Sequence, residues 1–190
     1  MFKKICLTAV SAVSVFAMHS AEVNINNSDL EFSTRLDMGQ FNDSVEPETI
    51  FLGAKYLNAD ERHSDVRSID DYQEINFLMQ REISPDFRLG FGVKLNHTED
   101  FVSIPLGVEA VYKLPVTSSV PFYVGASLYA APEVLSLDKA DSFLEYRFTL
   151  EAEAIQNVFI KAGYRHMDTN YERRDVEYND SLYFGLKFLF

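Results

Sequence analysis

Few groups in this chain are suited to proton transfer or metal binding, and their spacing is the first thing to weigh. His63-Ser-Asp65 and His166-Met-Asp168 each set an imidazole two residues from a carboxylate. That is the raw material of a general-base dyad. His97 stands apart. Acids gather in three stretches: Asp60, Glu61, Asp65, Asp70 and Asp71; Glu133, Asp138 and Asp141; Asp168, Glu172, Asp175, Glu177 and Asp180. Carboxylates suit Ca²⁺ and Mg²⁺, and such ions could bridge to phosphate groups. No stretch has the ligand order of an EF-hand loop. Arg62, Arg67, Lys139, Arg173 and Arg174 lie among these acids and could meet phosphates directly. Four histidines, of which His19 stands at the end of the N-terminal apolar run and the other three are scattered, are what any chain of this size carries, and solvated loops explain the acids. We therefore expect no enzyme, no catalytic, cofactor-binding or metal-binding residue, and no cofactor.

A second set of charges is more ordered. Nine acids (Asp29, Glu31, Asp37, Glu74, Glu82, Glu109, Glu145, Glu151, Glu153) and nine bases (Arg35, Lys55, Arg88, Lys94, Lys113, Arg147, Lys161, Arg165, Lys187) share the polar faces of alternating segments. Opposite faces are apolar, with Arg81 the one intruder, near a segment end where a long side chain reaches an interface. Period-two alternation means β-strands. Ten segments show it: Ala21–Asn26, Asp29–Met38, Thr49–Leu57, Tyr72–Ile83, Phe87–Asn96, Phe101–Leu114, Pro121–Ala131, Ser142–Ala154, Val158–Met167 and Ser181–Phe190. Pro105 interrupts the sixth and predicts a bulge there.

The ends of the chain say where such strands would fold. Lys3 and Lys4 precede an acid-free apolar run, Ile5 to Met18, and small residues follow. This is the pattern of a secretory signal peptide, residues 1–21, with cleavage after Ala17, Ser20 or Ala21. Residues 22–190 then form one domain. The single cysteine, Cys6, is lost with the signal, so no disulfide supports the fold. The mature chain carries 15 bases and 29 acids, a net charge of −14, which argues against nucleic acid as a partner. The final strand ends Gly185-x-x-Phe188-x-Phe190 on an aromatic residue. That ending resembles the C-terminal signal of bacterial outer-membrane barrels, which implies the barrel-insertion machinery as a partner.

Connections also alternate. Counting back from a periplasmic C-terminus, Ala154–Asn157, Pro115–Val120 and Ser84–Asp86 are short inner turns. Asp168–Asp180, Pro132–Asp141 and Asn58–Asp71 are long outer loops, with His97–Asp100 a short exception. Short inner turns and long outer loops are the outer-membrane pattern. The expected fold is an all-β, antiparallel transmembrane β-barrel of ten strands, with eight as the alternative if Ala21–Asn26 is loose and Phe101–Leu114 or another neighbour is misread. A strand of about ten residues, tilted about 40°, spans an apolar band of about 25 Å. A soluble β-sandwich would also carry polar outer faces and is the competing fold.

From Pro121 onward, Phe122-Tyr-Val-Gly125, Tyr129-Ala-Ala-Pro132, Lys161-Ala-Gly163-Tyr164-Arg165 and Leu182-Tyr-Phe-Gly185 follow one another in order. In this the chain resembles the YfaZ family of small outer-membrane proteins. The resemblance implies an outer-membrane barrel facing lipid and lipopolysaccharide, and no established activity or ligand. Lipid A deacylases are also small barrels, with a Ser two residues after the catalytic His; His166-Met-Asp168 departs from that pattern. The leading expectation is a non-enzymatic outer-membrane protein, structural or a narrow porin-like channel. The runner-up is a hydrolase of lipid A or peptide with a site at the extracellular rim.

The lumen decides between the first two. Eight-stranded barrels are just filled by side chains, and ten strands add little width. Inward glycines (Gly53, Gly90, Gly92, Gly107, Gly125, Gly163, Gly185) leave space, and Phe51, Tyr123, Tyr129, Phe159 and Tyr183 are large enough to fill it. A lumen stapled by its own ion pairs is expected over an open pore.

Overall fold

The computed structural model describes residues 19–59, 71–99, 101–116, 120–138, 140–171 and 174–190. His63, Arg62, Arg67, Lys139, Glu172, Arg173 and the acids between 60 and 70 lie outside the described residues, as does the signal sequence through residue 18.

Strand formation follows the alternation. β1 (Ser20–Ile25), β2 (Asp29–Asp37), β3 (Ile50–Ala59), β4 (Tyr72–Ser84) and β5 (Phe87–His97) form successive hairpins. β6 (Phe101–Ser103) and β7 (Leu106–Lys113) follow, then β8 (Phe122–Ala131) and β9 (Ser136–Asp138). β10 (Ala140–Ile155), β11 (Val158–Tyr171) and β12 (Arg174–Leu189) complete the chain. All ladders are antiparallel, and the order β4-β3-β2-β1-β12-β11-β10-β8-β7-β5 closes on itself through β4–β5. The result is a closed barrel of ten staves. Closure leaves no stave with an unpaired edge, which hydrocarbon could not satisfy.

The first strand is a full stave. Ser20 to Ile25 pairs with Leu189 to Phe184 on one side and Arg35 to Leu30 on the other. This removes the eight-stranded alternative. The turn after it is built by Asn26, whose Oδ1 accepts from the Ser28 and Asp29 amides at 2.7 Å.

Pro105 does more than bulge its strand. It separates β6 from β7, because its nitrogen has no hydrogen to give to a ladder. Its carbonyl still accepts from the Lys94 amide at 2.9 Å, and the Ile104 amide turns to the Leu135 carbonyl at 2.8 Å. Beside this break, the 3₁₀ turn Glu133–Leu135 divides β8 from β9, and β9 takes up pairing with β6. Each pair of short strands thus makes one stave.

Two expected outer loops are largely strand. Pro132–Asp141 holds the 3₁₀ turn, β9 and the start of β10. Asp168–Asp180 continues the β11–β12 ladder out to Tyr171↔Arg174, with a bulge between Met167 and Asp168. A polar ribbon standing in water gains its backbone hydrogen bonds without an apolar face, so alternation gave no sign of it.

The inner end carries a longer connection, from Met38 to Thr49. Asp37, expected in the lumen, instead caps this segment: its carboxylate accepts from Gly39 N at 3.0 Å and Glu48 N at 2.8 Å. The latter bond holds Glu48 at φ 64. Glu82 and Lys113 also depart from the expected lumen set, lying exposed at inner strand ends.

Burial is inverted relative to a soluble domain, where charged residues are almost never fully buried. Glu145 is 0 % and Arg165 1 % exposed, whereas Phe184 is 68 % and Leu182 72 % exposed. The closed ladder and this inversion together exclude the soluble sandwich.

The N-terminal stave also bears on export. His19 N donates to Phe190 O at 3.0 Å and Phe190 N to His19 O at 2.9 Å, and Ser20 is buried. Cleavage after Ala17 leaves this whole ladder in the mature chain; cleavage after Ser20 or Ala21 removes its first pairs. We expect the purified barrel to begin at Met18. Its intact mass checks this, and a chain starting at Ala21 or Glu22 would refute it.

Candidate functional site

The inward side chains meet in the lumen, so the lumen is the candidate site. It is arranged in layers along the barrel axis. The outermost is apolar: Leu57, Tyr72, Phe101, Ala131, Ala140, Phe143 and Met167 pack together, each at most 5 % exposed. The Phe143 ring lies 5.8 Å from Phe101 and 6.4 Å from Tyr72. The sequence reading missed this cap. Its signal was present as apolar residues on the polar face at outer strand ends, Leu57, Phe143 and Met167 among them.

Below the cap lies an ion-pair layer. Glu145 receives Lys94 at 2.6 Å, Lys55 at 3.1 Å and Arg147 Nε at 2.7 Å. Glu74 receives Lys55 and, at 3.3 Å, Lys94. Arg147 also grips both oxygens of Glu31, at 2.7 and 2.8 Å. Arg165 reaches Glu31 at 2.6 Å and Asp29 at 3.1 Å, and the Asn24 amide donates to Glu31 at 2.8 Å. The paired, bidentate geometry is what makes these buried charges tolerable.

Topology shows that these pairs cross the lumen. β3 and β10 are five staves apart in either direction around the ring, so the Lys55–Glu145 pair spans its diameter. β2 and β10 are four staves apart, and Arg147–Glu31 spans that chord. These side chains act as struts across the bore.

A third layer lies towards the inner end. Arg35 on β2 grips Glu109 on β7 through two bonds of 2.9 Å, again four staves across. Tyr129 OH donates to the same carboxylate at 2.8 Å, and its ring carries Lys94 Nζ at 3.9 Å. Gly92 and Gly107 make room for this ring: a Cβ on either would collide with it. On the opposite side Lys161 bridges Glu22 and Glu151, and Lys187 also meets Glu151. Glu22 was absent from the expected acids, although it shares a face with Asn24; its position beside the cleavage sites obscured it.

Between these inner pairs remains a cavity of about 370 Å³. Its walls run from the strut layer down to Ser20, Gln80, Arg88, Glu153, Asn157 and Leu189, which belong to the inner end of the barrel. Of the large inward residues, Phe51, Tyr129, Phe159 and Tyr183 are buried, whereas Tyr123 is half-buried in the cavity wall.

The histidines are not brought together. His97 is exposed at the outer end of β5. His166 faces outward from β11, four staves away, stacked on Tyr146 at 4.8 Å. Its Nδ1 lies 4.0 Å from Asp180. Among the described residues no three His, Cys, Asp or Glu side chains converge as a metal set.

No curated protein matches the sequence. Among solved structures, a chain described as "NanC porin structure in rhombohedral crystal form" is similar at TM-score 0.47 and 10 % identity, over 90 % of this chain and 98 % of that one. Another, from work described as "Unveiling the Mechanism Behind the in-meso Crystallization of Membrane Proteins", gives TM-score 0.42 and 12 % identity over 91 % and 83 %. The fold assignment itself rests on the closed ladder. The model of one family, described as YfaZ precursor, matches residues 2–190. With a ten-stave barrel, an apolar exterior and a match over nearly its whole length, the chain belongs to the YfaZ precursor family of exported outer-membrane proteins.

Proposed function

We propose that this protein is a non-enzymatic, structural barrel whose lumen is closed to ions at rest. The observation that carries the reading is the set of cross-lumen struts, Lys55–Glu145 and Arg147–Glu31, under an apolar cap. A hydrated ion would have to displace paired charges and then pass packed aromatic rings. The exposed apolar residues form the surface that faces outer-membrane lipid and lipopolysaccharide. The terminal Gly185-x-x-Phe188-x-Phe190 is the segment offered to the barrel-insertion machinery.

The second reading is a narrow porin-like channel, favoured by the cavity that already occupies the inner half of the bore. Single-channel recording of the refolded mature protein in a planar bilayer separates the two. We expect a silent membrane in salt of any composition, with insertion verified by heat-modifiable gel mobility. Reproducible conductance steps from the unaltered protein would overturn the closed-barrel reading in favour of the channel.

A further inference from the structure

The inner cavity is lined by seven carboxylates and seven bases. Six of the bases are spent on carboxylates within 3.1 Å, Arg35 on Glu109 and Lys187 on Glu151 among them. Arg88 is different. Among the described residues it makes no hydrogen bond, and its one ion pair is to Glu48 at 3.9 Å. Both side chains line the cavity, and they are 34 % and 46 % exposed. Five of the carboxylates are held by close bases, and Glu153 accepts from the Asn157 amide at 3.3 Å. Among the described residues Glu48 has Arg88 alone.

Glu48 is also held in an unusual way. Its φ of 64 lies in the left-handed region, uncommon for a residue other than glycine. Among the described residues only Asn157 shares it, and Asn tolerates that region in turns. The Glu48 amide donates to Asp37 Oδ2 at 2.8 Å, and its carbonyl accepts from Gln80 Nε2 at 3.1 Å. The connection around it is tight: a Cβ on Gly39 would stand 2.6 Å from Pro47 Cα. The chain thus fixes a carboxylate beside the least engaged cation of the cavity wall, yet stops short of a hydrogen bond. Backbone strain of this kind collects at ligand sites.

A ligand here must complement both heads. A lone anion on Arg88 would stand against Glu48, and a lone cation on Glu48 would stand against Arg88. A solute with a carboxylate and an ammonium satisfies both at once: the guanidinium donates to the carboxylate, and Glu48 accepts from the ammonium. Two charges on one carbon suit heads only 3.9 Å apart. Val111, the ladder partner of Arg88 on β7, also lines the cavity and gives a side chain an uncharged wall.

We propose that the inner cavity is a binding site for a small zwitterion of the α-amino acid class, entering from the periplasmic end, with its carboxylate on Arg88 and its ammonium on Glu48. The volume, about 370 Å³, is that of a small-ligand site. Binding does not require that the lumen be closed further out.

The test is a saturation-transfer NMR titration of the refolded mature barrel in detergent micelles, with L-alanine as the probe. Propionate lacks its ammonium and ethylammonium lacks its carboxylate, so the two serve as comparisons. The expected result is saturable binding of alanine in the millimolar range, with both comparisons about tenfold weaker or more. Arg88→Gln is expected to weaken alanine about fivefold to tenfold. Glu48→Gln should weaken alanine by a similar factor and, by removing the repulsion, bind propionate more tightly than the parent does. Glu48 stands on an exposed connection, so this variant carries the test should Arg88→Gln fail to refold. Absence of alanine binding, propionate or ethylammonium binding as tightly as alanine, full alanine affinity in the refolded variants, or propionate no tighter in Glu48→Gln would each overturn the site. A barrel that conducts and binds alanine would overturn the closed-barrel reading alone.

Discussion

Replacing Glu145 by Ala will both destabilise the barrel and open it. Glu145 is 0 % exposed and is the acceptor shared by Lys55, Lys94 and Arg147. Its loss leaves three cations facing one another across the bore, with Glu74 and Glu31 alone to balance them. Removing one member of a buried ion-pair set costs about 3–5 kcal/mol. The repelled side chains should withdraw towards the walls, and the Lys55 strut across the diameter disappears. The expected outcome is a fall in the urea midpoint of the micelle-bound barrel together with conductance steps absent from the parent protein. Adding Lys94→Met to the Glu145→Ala protein removes one surplus cation and should recover part of the lost stability while keeping the conductance. A variant as stable and as silent as the parent would show that the struts do not close the lumen.

The largest effect on the outer face is expected at Phe148. This residue lies midway along β10, is 55 % exposed, and sits between Tyr164 on β11 and Ala126 on β8. On a soluble domain Phe148→Arg would be nearly neutral, since surface substitutions are usually within about 0.5 kcal/mol. At the midplane of a bilayer a lipid-facing Arg costs about 2–4 kcal/mol, and near the interface about 0–1. Phe148→Arg should therefore destabilise the barrel in phospholipid vesicles by the larger amount. Leu137→Arg, on the short outer strand β9 and 50 % exposed, should cost the smaller one. Guanidinium unfolding of the two variants in vesicles reads the difference. Equal costs at the two positions would contradict the placement of the apolar band.

How far the chain could be read without its fold differs between wall and lumen. The ten segments, their two faces and the parity of the termini all follow from alternation of side-chain type, a local property with period two. Phe87 to Asn96 is the plainest example, since its apolar and polar sets never mix. Pro105 was visible as an irregularity because its missing amide is a covalent fact, although only the ladders show that the strand parts there. The outer reach of β11 and β12 was invisible, because Asp168 to Asp180 is polar on both faces and a solvated ribbon needs no alternation.

Inside the lumen, composition alone implied that acids and bases would neutralise one another, and little more. Which pairs form depends on stagger and closure. Lys55 and Glu145 stand 90 residues apart, Arg147 and Glu31 116 apart, and no local pattern relates them. Only when β4 meets β5 do β3 and β10 become opposite staves, so that two long side chains meet at the axis. The same closure gathers Leu57, Phe101, Phe143 and Met167 into one cap. It also sets Tyr123 and Phe159, from β8 and β11, beside one cavity. Alternation determined that this chain is built of strands with one apolar and one polar face; the curvature and register of the closed sheet decided that the polar face is the inside and what fills it.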